Sequence, residues 1–116
     1  MKKEMLNRTK CFAIDCWKLS AKLPKSREYN AYVNQLIRSS SSVGANYRAA
    51  QRAKSTADFV YKLKIVEEEA DESLYWLELF QEITTNFEEE IRVLMKEGNE
   101  LLSIIVSSIN TIKKKK

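Results

Sequence analysis

Apolar residues recur at Phe12, Cys16, Leu19 and Leu23, every three to four positions, which places them along one side of a helix. The spacing predicts a first helix over about residues 7–23, stopped at Pro24. A second start falls at Ser26, and Val33, Leu36, Ile37, Ser40, Val43, Gly44 and Tyr47 share one side of a helix over about residues 27–53. Ser55-Thr56-Ala57-Asp58 then combines a hydroxyl able to accept from an unpaired backbone N–H with an acid three residues on, opening a helix over about residues 56–83. Asn86-Phe87-Glu88-Glu89 repeats that kind of start. Glu88, Glu89 and Glu90 crowd the positive end of a fourth helix over about residues 87–112, whose stripe is Phe87, Ile91, Leu94, Gly98, Leu101, Ile105 and Ile112. Lys113 to Lys116 form a basic tail, suited to the negative end of that helix or to a frayed, solubilising terminus.

Four helices joined by connections of a few residues imply an all-α, antiparallel up-down-up-down four-helix bundle, because a short loop cannot return the chain to the far end of its neighbour. Composition agrees. The 116 residues suffice for one domain, and two Gly and one Pro leave little material for the turns of a sheet. The third helix carries more apolar surface than a bundle needs. With Phe59 at zero on a helical wheel, Leu63, Val66, Ala70, Leu74, Leu77 and Phe80 lie within about 60° of it, whereas Tyr61, Ile65, Tyr75, Trp76 and Leu79 lie between about 160° and about 260°. A helix apolar on both sides wants two partners. Those five residues are therefore candidates for an interface between copies of the chain, with Glu68 and Glu72 as acidic members of the same contact.

The net charge of +4 conceals a lopsided distribution. Residues 1–64 hold 14 basic and 4 acidic side chains, whereas residues 65–112 hold 2 basic and 12 acidic ones. Such a split indicates either a basic surface for nucleic acid or two surfaces that neutralise each other within the fold or between copies. On the second helix Arg38, Arg48 and Arg52 share an arc of about 80° facing away from the apolar stripe, beside the small residues Ser41, Ser42, Ala45 and Ala49. That arc can receive the carboxylates of a neighbouring subunit, Glu68 and Glu72 among them, or a phosphate backbone. Arg38, Arg48, Arg52, Lys54, Lys62 and Lys64 are the candidate nucleic-acid-binding residues, with no base-reading motif among them and therefore with sequence-tolerant contact expected.

Catalytic chemistry finds little to work with. The chain has no His, the residue most often used as a general base near neutral pH and the commonest metal ligand. The acids Glu67, Glu68, Glu69, Asp71 and Glu72 lack the Glu-x-x-His pairs of a di-metal bundle, so no metal and no cofactor are expected. Cys11 and Cys16 lie about 140° apart on a helix, too far round for a local disulfide, and read as reduced, buried thiols. Ser39 to Ser42 have no base beside them and read as small packing residues. Neither a signal peptide nor a membrane span is visible; the reduced thiols read as those of a cytoplasmic protein, and the missing His and bases as marks of a non-enzymatic one.

The wording of the chain also resembles a known family. Leu23-Pro24-Lys25-Ser26-Arg27-Glu28, Asn34-Gln35-Leu36-Ile37-Arg38-Ser39, Ser42-Val43-Gly44-Ala45-Asn46-Tyr47-Arg48-Ala49-Ala50 and Glu68-Glu69-Ala70-Asp71-Glu72-Ser73-Leu74-Tyr75-Trp76-Leu77-Glu78-Leu79 are similar to runs of the bacterial four helix bundle proteins. That family includes proteins encoded in intervening sequences of large-subunit ribosomal RNA genes. The resemblance spans residues 23–79 and implies a four-helix protomer assembling into a homopentamer. A similar fold serves as the accessory variability determinant of diversity-generating retroelements, a basic pentamer that partners a reverse transcriptase and binds nucleic acid. By that analogy this chain is an RNA-binding accessory factor. The alternative is a protein-only scaffold or adaptor.

Overall fold

The computed structural model describes residues 2–115, which form four helices: α1 (Lys2–Lys22), α2 (Arg27–Ala50), α3 (Thr56–Ile83) and α4 (Glu88–Lys114). Each helix packs on its neighbours in sequence and α1 also packs on α4, which closes a four-sided bundle of 48 × 21 × 20 Å. Register is readable from side chains. Thr9 of α1 meets Gly44 of α2, Arg38 of α2 reaches Glu69 of α3, Tyr29 reaches Ile83, Leu74 of α3 meets Gly98 of α4, and Lys22 of α1 pairs with Glu90 of α4. No helix among the described residues is long and apolar enough to cross a membrane.

Two starts form as the spacing predicts. Ser26 Oγ accepts from Tyr29 N at 3.0 Å and Ser55 Oγ from Asp58 N at 3.0 Å, each satisfying one of the backbone donors that a helix start leaves unpaired. Asp58 adds a reciprocal contact by accepting from Lys54 N at 3.1 Å. The fourth start differs from expectation. Phe87, not Asn86, occupies the cap position, with φ 65° and no side-chain hydrogen bond, and its ring packs against the core. Burial of the ring holds a left-handed conformation that L residues seldom adopt, while Glu88, Glu89 and Glu90 complement the helix dipole.

Helix bounds also shift. α1 begins at Lys2, five residues before the expected start, because buried Met5 and Thr9 continue its stripe and Thr9 hides its hydroxyl by donating to Met5 O at 2.9 Å. α2 ends at Ala50 instead of residue 53, where Gln51 N–H turns back to Arg48 O. α4 runs on through Lys113 and Lys114, so the first half of the basic tail is helical; Lys116 lies outside the described residues.

The core is continuous from end to end, with Met5, Phe12, Leu19, Leu36, Val43, Leu63, Val66, Leu77, Phe80, Ile91, Leu101 and Ile105 all buried. Each such side chain contributes roughly 1.5–3 kcal/mol by leaving water. Small residues set the closest approaches. At Gly98 an added Cβ would stand 2.9 Å from Leu74 Cδ2 and 3.4 Å from Phe12 Cε1, so any side chain there must displace Leu74 from its place against α4. Gly98→Val should therefore lower stability by about 2 kcal/mol through overpacking, against any gain in helix propensity. Chemical denaturation followed by circular dichroism measures this; an unchanged midpoint would show that the core yields more readily than its geometry implies.

Candidate functional site

The three arginines of α2 share an arc, but the bundle gives them different surroundings. Arg38 lies over the α2–α3 seam, where Nη1 reaches Glu69 Oε1 at 3.3 Å and Nη2 pairs with Glu72. Glu72 also accepts from Trp76 Nε1 at 3.0 Å. The carboxylates expected to meet an arginine from a neighbouring copy thus include one, Glu72, that holds an arginine of its own chain. Arg48 and Arg52 are exposed and form no ion pair among the described residues.

The back of α3 divides as well. Tyr61 and Tyr75 are 64% and 54% exposed, while Ile65, Trp76 and Leu79 are half-buried. Trp76 belongs to the seam. Its ring centroid lies 5.4 Å from that of Tyr32 on α2 and 5.3 Å from that of Tyr75, and Tyr32 and Tyr29 in turn pack on Phe80 at 6.3 and 6.2 Å. Five aromatic rings therefore run in one chain of contacts along α2 and α3, at centroid separations typical of favourable aromatic pairs. Tyr29 and Tyr32 escaped the sequence reading, although their three-residue spacing places both on the α3-facing side of α2. Ile83, 48% exposed, borders the same patch, in a groove with Tyr29 and Tyr32.

One end of the bundle gathers positive charge. The last turn of α2 carries Arg48, the turn after it Arg52 and Lys54, the first turns of α3 Lys62 and Lys64, and the end of α4 Lys113, Lys114 and Lys115. Lys54 and Lys115 line one groove together with Gln51, Ser55, Phe59 and Ile112. Lys62 is paired with Asp58 at 2.8 Å, but Lys64 adjoins Lys113 and holds that ammonium below the usual lysine range, first by side-chain hydrogen bonding and then by like-charge repulsion. Of the six residues singled out for nucleic acid, the fold brings Arg48, Arg52, Lys54, Lys62 and Lys64 to this end. It sets Arg38 apart.

The buried polar groups are already satisfied. Ser73 Oγ lies 2.9 Å from both Ser39 Oγ and Glu69 O, Ser20 donates to Cys16 O at 2.7 Å, and no buried side-chain nitrogen or oxygen among the described residues lacks a partner. Ser39 and Ser40 face the core, Ser41 faces solvent, and none stands beside a base. Burial pushes the Cys16 thiol up to about 12, which removes its nucleophilic form at neutral pH. Cys11, expected to be buried, is exposed, because the outward side of α1 holds it clear of the stripe through Phe12 and Cys16. No cluster of three or more metal-ligating side chains occurs among the described residues.

Comparison with known proteins places these features. Residues 1–107 match the family model described as 23S rRNA-intervening sequence protein. A crystal structure of a protein of unknown function from the S23 ribosomal protein family of Bacteroides thetaiotaomicron is similar at 31% sequence identity and a TM-score of 0.83, covering 90% of this chain and 97% of that one. No curated protein matches.

The Arg38–Glu72–Trp76 contact yields a pH prediction. The Trp76 indole N–H, and after it Arg38, hold the Glu72 carboxyl below the usual carboxylate range. A depressed folded-state value contributes stability that is present above the unfolded-state value of about 4.3 and is lost as pH falls through the folded value. Glu72→Gln should flatten the acid limb of the stability curve below about pH 4.3 and remove the accompanying change in indole emission. Identical acid profiles for both proteins would show that the contact does not form in solution.

Proposed function

The chain belongs to the 23S rRNA-intervening sequence protein family, and on that premise we propose that it is a cytoplasmic, non-enzymatic homo-oligomer that contacts RNA without sequence preference through the basic end of its bundle. The carrying observation is the cluster of Arg48, Arg52, Lys54, Lys64, Lys113 and Lys115, which have no ion pair among the described residues and include two adjoining ammonium groups. Crowded cations of one sign oppose folding, and a phosphate backbone relieves that repulsion while releasing its own counterions. An up-down-up-down protomer supports the reading, since it is the arrangement in which the end of α2, the start of α3 and the end of α4 meet. Repetition in a homo-oligomer, by the family resemblance a pentamer, would multiply modest contacts per chain.

A second reading, a protein-only scaffold, rests on a different observation. Tyr32, Tyr75 and Ile83 leave apolar surface exposed around the α2–α3 seam, and exposed aromatic patches mark protein contacts more often than phosphate contacts.

Filter retention of single-stranded and structured RNA at about 50 and about 200 mM salt distinguishes the two. Retention should be clear at the lower salt and fall steeply at the higher, and replacing Lys54, Lys64, Lys113 and Lys115 by Gln should abolish it while leaving helicity unchanged. No retention by the unaltered protein at the lower salt would leave the scaffold reading alone.

A further inference from the structure

The charge split along the chain becomes a split across the bundle. Ion pairs cancel it at two seams: Arg8 of α1 holds Glu97 and Glu100 of α4 at 2.7 and 3.0 Å, Lys22 of α1 holds Glu90 of α4, and Arg38 of α2 holds Glu69 and Glu72 of α3. Away from the basic end, uncancelled charge of opposite sign stands on two outward faces. On α1, Lys3, Lys10 and Lys18 are exposed and flank Ile14 and Trp17, themselves 42% and 59% exposed; all five fall within an arc of about 100° that holds no acid. On α3, Glu68, Asp71 and Glu82 are exposed, form no ion pair among the described residues, and lie within about 80° of one another with Tyr61, Tyr75 and Leu79; one cation, Lys64, shares that arc, which stays acidic on balance.

These faces belong together by three measures. Each carries large apolar side chains in water, their net charges are opposite in sign, and their lengths are similar, about 22 Å from Lys3 to Lys18 against about 27 Å from Tyr61 to Leu79. They cannot meet within one chain. α1 and α3 make no close backbone approach among the described residues and occupy opposite corners of the bundle.

We propose that the α1 face of one copy docks on the α3 face of the next, with Ile14 and Trp17 against Tyr61 and Tyr75, and Lys10 and Lys18 toward Glu68 and Asp71. This docking rests on the homo-oligomer reading above and assigns that assembly its two surfaces. The contact joins different faces, so it is heterologous, and successive copies rotate into a closed ring or extend as a filament. Each protomer offers one face of each kind, and the charge pairing rejects α1 on α1 and α3 on α3.

Trp17→Glu and Tyr75→Glu each spoil one face, and both residues are exposed enough for the fold to survive, which circular dichroism checks. By mass photometry the unaltered protein should assemble and each variant alone should run as single chains. An equimolar mixture of the two should double the mass to a dimer, because one variant keeps a good α3 face and the other a good α1 face. Lys10→Glu with Lys18→Glu should behave as Trp17→Glu does, which guards against a local effect of the tryptophan. An unaltered protein that runs as single chains overturns both this docking and the homo-oligomer. Assembly by the unaltered protein and equally by Trp17→Glu overturns the docking alone, as does a mixture that fails to dimerise. If Trp17→Glu assembles normally but loses RNA retention, the α1 face is a nucleic-acid surface and the docking is likewise overturned.

Discussion

A helix that is apolar around more than half its circumference cannot be covered by one neighbour, and α3 is such a helix. Leu63, Val66, Ala70, Leu77 and Phe80 bury the stripe that faces the bundle, and α2 and α4 flank it on both sides. The other helices are arranged around that requirement. α2 leans far enough over α3 for Tyr29 and Tyr32 to cover Phe80 and Trp76, and α4 comes close enough to press Leu74 against Gly98. α1 reaches α3 only through the core. What α2 and α4 leave uncovered on α3 is a narrow ridge through Tyr61 and Tyr75, bordered by carboxylates.

Charge follows the same plan. The two basic helices come first in the chain and the acidic stretch follows, so closing the ring brings opposite charges together at the α1–α4 and α2–α3 seams. These pairs are partly exposed, and each contributes about 1 kcal/mol at most. Their larger effect is to decide which charges stay free. The pairs between helices lie along the seams, while unpaired Arg48, Arg52, Lys54 and Lys115 gather at one end, unpaired Lys3, Lys10 and Lys18 on the outer side of α1, and unpaired Glu68, Asp71 and Glu82 on the outer side of α3. On the two proposals made above, such a surface would provide a phosphate-directed end and a pair of complementary flanks, and a ring of such units would present the ends together.

Several groups that invite a catalytic reading are engaged in packing or in hydrogen bonds of the fold. The serines of α2 are divided between core and solvent; buried Ser39 and Ser40 donate to backbone oxygens, and Ser39 accepts from Ser73 of α3. Cys16 is an apolar filler held protonated by its burial. The acids of α3 are spread around its exposed arc, and one of them, Glu72, is committed to an indole and a guanidinium.

Helix periodicity is a local property, and so most of the architecture was legible along the chain. Phe12, Cys16, Leu19 and Leu23, or Ile91, Leu94, Leu101 and Ile105, announce their buried stripe wherever the helix is placed, and Ser26 and Ser55 announce their caps within four residues. Bounds were less legible where the deciding contact came from elsewhere. Met5 lengthens α1 because the core accepts its side chain, and Phe87 takes a left-handed turn because the core accepts its ring. The arginine arc was visible as an arc, but a wheel has no knowledge of what stands beside it. Only the assembled bundle decides that Arg38 meets Glu69 and Glu72 of its own chain, that Trp76 lies in a seam and not on the back, and that Lys64 and Lys113, far apart in sequence, become neighbours. Spacing along a helix assigns each side chain a direction; what it encounters in that direction depends on the packing of all four helices.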